Sequence, residues 1–249
     1  MKMRHLLLKE LKETRMQGIA FVVVLVFFGA SSLLLQKFIP ELVPENLAEA
    51  FEPSLVAGLG EYVGNSLQMG SIVAILITIA ALAGEREMGT LELLLTRPVS
   101  RAQIVMAKFL MRMSYVFLGN FISALVTWYY AIYLFKPFPL SKLMLSALAI
   151  SVVTTFVVAL TMIFTAVSTS KIPAAFGSGA VSLVLAIIPT LKSPYDLISP
   201  FTYGNIARQS LLEEVTAGVY LTNLGAIIGF TVFCLGLAIL VFNKVEKFS

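Results

Sequence analysis

The side chains best placed to act on something else are those of Glu85, Arg86 and Glu87. Together with Met88, Gly89, Thr90 and Leu91 they open the only dense charged segment, residues 84–101, that lies between two long apolar runs. Gly84, Gly89 and Thr90 have the outline of a phosphate-binding loop. The segment lacks the lysine before the threonine and carries two glutamates where phosphates would sit, which excludes that chemistry. Hydrolysis at membrane depth needs a nucleophile with an activating base, or paired carboxylates. The apolar runs contain no histidine and no acid, and the single aspartate, Asp196, lies in a connecting loop. With His5 as the one histidine, a histidine-based metal site is excluded as well. What remains for 84–101 is recognition: fixed charges and a short apolar strip that could receive a push from another surface.

The local chemistry of that stretch is a succession of helix stops and starts. Gly89 can take the left-handed conformation that ends a helix, and Thr90 suits the N-cap of the next. Leu91, Leu94 and Leu95 share a face at helical spacing, and Pro98 ends the piece by disfavouring helix at Arg97. Ser100 and Gln103 form a capping-box pattern, so a new helix is expected to begin at Arg101. Glu85 and Glu87 stand where the preceding helix ends, against the negative pole of its dipole. Arg86, Arg97 and Arg101, or a second protein, are expected to offset that cost.

The elements that position this segment are membrane helices. Of 249 residues, 58% are apolar and 13% charged, which removes the chain from the soluble class. Charge-free runs at 18–36, 62–84, 113–135, 143–170, 172–191 and 215–243 are each long enough to cross a hydrocarbon core. Six spans follow, at about 18–36, 64–84, 110–135, 143–167, 173–191 and 221–242, in one all-α membrane domain covering 1–249. The first is read as a retained span and not a signal peptide. Thirteen of the 18 basic residues fall in 1–17, 85–112, 171 and 244–249, and the other five are Lys37, Lys136, Lys142, Lys192 and Arg208. By the positive-inside rule both termini are cytoplasmic. The net charge of +4 reflects this topology and calls for no nucleic acid.

Residues 1–17 read as an amphipathic helix on the inner membrane surface, with Met3, Leu7, Leu8 and Leu11 on one side, or equally as a basic flank that fixes topology. Trp128, Tyr129, Tyr130 and Tyr133 form an aromatic belt beside the outer turn at 136–139. Ser151, Thr154, Thr155, Thr161 and Thr165 serve helix packing or line a path. Residues 205–214 read as a short interfacial helix on the outside, and Gly225 with Gly229 permits close packing within or between chains.

Glu85-Arg86-Glu87-x-Gly89-Thr90-Leu91-Glu92, followed by Thr96-x-Pro98-Val99-Ser100-Arg101-x-x-Ile104-x-x-x-Lys108, resembles the region after the second span of type-2 ATP-binding-cassette (ABC) exporter permeases. Within these it is most similar to the gliding-motility and copper-enzyme-maturation permeases. The six-span layout extends the resemblance over essentially the whole chain. It implies a coupling segment at 85–101, with Glu85, Arg86, Glu87, Met88, Gly89, Thr90, Leu91, Leu94, Leu95, Pro98 and Arg101, that docks to a separate nucleotide-binding ATPase. ATP and magnesium would sit on that partner, and this chain would carry no catalytic residue, cofactor or metal of its own. A second permease chain, identical or different, completes the unit in the cell membrane, with the first, second and fifth spans walling the path. The competing readings are an ATP-independent carrier or channel and a non-transporting scaffold.

Overall fold

The computed structural model describes residues 3–42, 53–91, 99–191 and 199–245. These form helices and no strand: α1 (Met3–Leu42), α2 (Leu55–Ile79), α3 (Ala83–Glu87), α4 (Arg101–Leu134), α5 (Leu140–Val167), α6 (Lys171–Ile187), α7 (Pro200–Gly204), α8 (Ile206–Leu212) and α9 (Ala217–Val245), with a 3-10 turn at Ile188–Leu191. Six helical stretches are long and apolar enough to cross a membrane, α2 and α3 counting as one. The chain is an all-α integral membrane protein. The expected capping box is formed: Ser100 Oγ accepts from Gln103 N–H at 3.2 Å and Gln103 Oε1 accepts from Ser100 N–H at 3.0 Å. That exchange satisfies two end groups and starts α4 at Arg101.

α5 is the axis of the bundle. It touches α2, α4, α6, α8 and α9, and 83% of its most apolar stretch is buried, against 17% for α6. Ser151, Thr154, Thr161 and Thr165 donate to carbonyls three or four residues back, while Thr155 is buried with its hydroxyl unpartnered among the described residues. They are buried in packing and line no surface of this chain.

α1 lies along α4 at close range because glycines face aromatic rings. A Cβ on Gly18 would stand 2.6 Å from the Tyr115 ring, and one on Gly119 would stand 2.7 Å from Cδ1 of Phe21. Residues 3–17 are helical, but they are the first turns of α1 and not a separate surface helix. Leu6, Glu10 and Thr14 are buried and Leu8 and Leu11 are exposed, so the inward face is partly polar. The helix therefore continues down α4 because that face finds partners there.

The short helix expected at 205–214 forms as α8, with Arg208, Gln209 and Leu212 exposed and Ile206, Ala207, Ser210 and Leu211 buried, a face at helical spacing. Before it, α7 turns into the bundle, with Phe201 edge-on to Phe156 at 6.3 Å and Gly204 against Val153, both about half-way along α5. Gly225 and Gly229, expected to pack within or between chains, have open space around them on α9, so they do not pack against the described residues of this chain. At the end of α4, Trp128 donates from Nε1 to the Phe138 carbonyl at 2.9 Å, fixing the turn beside the exposed, stacked Tyr129 and Tyr133.

The contrast between glycines is testable. Gly119→Leu should destabilise the detergent-solubilised chain by about 1–3 kcal/mol through overpacking, whereas Gly225→Leu should leave unfolding nearly unchanged. Thermal unfolding of the two variants in one detergent distinguishes them.

Candidate functional site

Two cations on one face of α4 create the site. Lys108 and Arg112 are four residues apart, and they are 1% and 2% exposed. A buried charge must be paired and hydrogen-bonded. Lys108 Nζ donates to Glu10 Oε1 of α1 at 2.7 Å and to Glu85 Oε1 of α3 at 2.6 Å. Arg112 donates to Glu10 Oε2 at 2.6 Å, and to the Lys108 carbonyl at 3.2 Å. Lys9 stands 3.8 Å from Glu85 and 3.4 Å from Glu13. Thr14 donates to the Glu10 carbonyl and shares a hydrogen bond with the Tyr115 hydroxyl, holding this part of α1 in register. The groups line a polar cleft of about 260 Å³. Carboxylate oxygens of Glu10, Glu13 and Glu85 lie within 4.8 Å of one another. Lys108 sits between two of them, however, so the place a metal ion would take is held by an ammonium.

α3 is separated from α2 by the turn at residues 80–82. Its last three residues go three ways. Glu85 reaches Lys108. The Arg86 guanidinium donates to the carbonyls of Thr165 (3.4 Å), Ala166 (3.3 Å) and Ser168 at the end of α5. Glu87 Oε2 accepts the Lys171 N–H at the start of α6, at 3.2 Å. Glu85 and Glu87 are thus offset by Lys108, Lys9 and a helix N-terminus. The expected partners are otherwise engaged: Arg86 caps α5, Arg101 donates to the Asn243 carbonyl at 3.0 Å, and Arg97 lies outside the described residues.

Beyond α3 the chain forms an exposed knuckle. Glu87, Met88, Gly89 and Thr90 are exposed, and Gly89 has φ +68°, the left-handed conformation expected of it. Thr90 is already helical, and its hydroxyl donates back to the Glu85 carbonyl at 3.2 Å. Leu91 turns inward, 2% exposed, and packs with Leu6, Leu82 and Ile104. Leu94, Leu95 and Pro98 lie outside the described residues. Glu10, Lys108, Arg112 and Lys171 were not among the site residues read from sequence. The signals available were the place of Lys108 at the end of the family-like motif and the four-residue spacing of Lys108 and Arg112 near a span end.

Pairing of this kind is costly to break from one side. Lys108→Met should destabilise the chain by about 3–5 kcal/mol by leaving buried carboxylates without their cation, while Lys9→Met should cost under about 1 kcal/mol. Adding Glu85→Gln to Lys108→Met should recover part of the loss, because Glu10 keeps Arg112. Unfolding of the parent, Lys108→Met, Glu85→Gln and the double variant in detergent forms the cycle that measures it.

A family model described as ABC-2 family transporter protein matches residues 5–246. No match was found among curated proteins.

Proposed function

The chain belongs to the ABC-2 family of transporter proteins, and we propose that it is the permease subunit of an ATP-driven exporter whose ATPase is a separate chain. The observation that carries this reading is the family match across nearly the whole chain. The geometry supports docking at one exposed knuckle, 87–90, on a short helix braced against three others. Glu85 and Arg86 brace that knuckle, Leu91 anchors it to the bundle, and Met88, Gly89 and Thr90 meet the partner. ATP and magnesium belong to the ATPase, and this chain contributes no catalytic group.

The path lies between two permease chains, most simply two copies. α1, α2 and α6 form its walls, and the sparse burial of α6 and its exposed Phe176 and Leu183 support this arrangement. The complex sits in the cytoplasmic membrane with both termini and the knuckle inside, as the distribution of basic residues favours. An ATP-independent carrier using the Glu10, Lys108 and Arg112 network is the alternative. Hydrolysis by an associated ATPase that this chain stimulates decides between them.

Two outcomes follow. In a Cys234→Ser background, single cysteines replacing Met88 and Glu213 should label from opposite sides of the membrane, the former only from the cytoplasmic face. Labelling from one side would refute the topology. Met88→Asp and Gly89→Leu should each weaken ATPase binding about tenfold, roughly 1.4 kcal/mol, the second because a leucine at positive φ is strained. Titration of the ATPase against permease in nanodiscs measures this, and unchanged affinity in both variants removes the docking assignment.

A further inference from the structure

Arg86 and Glu87 leave α3 towards the same place, the turn between α5 and α6. Arg86 closes the carbonyl end of α5 and Glu87 takes the amide end of α6. Each charge has the sign its helix end favours, and each satisfies backbone groups that a helix end leaves without internal partners. Ser170, the N-cap of α6, makes no side-chain cap, so Glu87 supplies from another helix the acceptor that an N-cap residue ordinarily provides. Gly84 completes the joint. A Cβ there would stand 2.8 Å from Lys171 Cε, so the lysine side chain of the first turn of α6 lies directly against α3.

The two sides of this joint are held very differently. α3 is pinned through Glu85 to the buried Lys108. α6 is the least buried span, with Phe176, Leu183 and Val184 exposed along it. We propose that Glu87, with Arg86, is a positioning residue that ties the first turn of α6 to the knuckle, so that displacing 88–90 moves α6 while the Glu85 and Lys108 pair serves as the pivot. This rests on the ATPase docking proposed above, and it assigns to α6 the motion that docking produces.

Position 171 permits a clean test. Lys171 is the first residue of α6, where proline is accepted. Ser170 already has the extended backbone (φ −142°, ψ 170°) that a residue before proline adopts. Lys171→Pro therefore deletes the N–H that Glu87 accepts, whereas Lys171→Ala keeps it, and both remove the lysine side chain. The full permease with its ATPase is placed in nanodiscs in a Cys234→Ser background. Spin labels at Met88→Cys and Leu11→Cys, or at Phe176→Cys and Leu11→Cys, report distances with and without ATP and vanadate, with the ATPase in enough excess that weaker binding at a labelled Met88 leaves the docking site filled.

The expected result is that nucleotide trapping shifts both distances in the parent and in Lys171→Ala. In Lys171→Pro the Met88 shift persists and more than half of the Phe176 shift is lost. An equal Phe176 shift in the proline and alanine variants overturns the proposal, as does a static Phe176 in the parent while Met88 moves. If Met88 itself does not respond in the parent, the docking function falls and this proposal with it. Should the proline variant fail to assemble, Glu87→Ala is read by the ratio of the Phe176 shift to the Met88 shift. A fall in that ratio supports the tie, and a constant ratio refutes it.

Discussion

The ammonium of Lys108, shared between Glu10 and Glu85, is the contact on which the charged end of this bundle depends. Two cations on one face of α4 cannot be left in an apolar interior, because the desolvation cost of each is several kcal/mol. Their counter-charges come from two different helices, so satisfying them fixes where α1 and α3 lie. α1 accordingly continues past its apolar run along α4, carrying Glu10 inward. Such a network adds little net stability over an apolar substitute. Its physical effect is to penalise other arrangements, since any shift of α1 or α3 strands a buried charge.

α3 converts that anchor into a junction. Successive helical residues point about 100° apart, so three consecutive side chains at the end of a five-residue helix face three neighbours. Glu85 meets a buried cation, Arg86 meets the carbonyl pole of α5, and Glu87 meets the amide pole of α6. Each pairing has a favourable sign. The two acids that look misplaced at the end of their own helix are well placed with respect to others. Gly89 then reverses the chain at positive φ, leaving the knuckle beyond these braces exposed.

Spans and helix starts were legible in sequence because their causes are local. Length and hydropathy mark a span, and Ser100 with Gln103 marks the start of α4. The joining of Glu10 to Lys108, 98 residues apart, was not legible, because periodicity shows which residues share a face and not which helix that face meets. The same blindness explains the glycines. Gly119 and Gly225 look alike in apolar helices, yet one lies against Phe21 and the other has nothing near it. At 205–214 the polar members Arg208, Gln209 and Glu213 mark the exposed side of a short helix, while the face of Ile206, Ala207 and Ser210 that packs on α5 is brief and carries no charge to mark it.

The same distribution of polar groups bears on where a path can run. α5 is enclosed: four of its hydroxyls are bound to its own carbonyls, and those of Ser146 and Thr155 are buried without a hydrogen-bond partner among the described residues, so its polarity stays inside the chain and offers no outward wall. The remaining candidate surfaces are those the spans turn outward. There α1 presents Val23 and Phe27, α2 presents Ile72 and Leu76, and α6 presents Phe176 and Leu183. Under the two-chain arrangement proposed above, walls built from these faces would be apolar through most of the membrane. Association of such faces has no hydrophobic drive in lipid and depends on close packing. Ala175, Gly179 and Ala180 beside Phe176 and Leu183 give α6 a shallow groove suited to that. A path with such walls cannot select cargo by charge along its length, so discrimination between charged species would have to occur at its two ends, where the ionisable groups are.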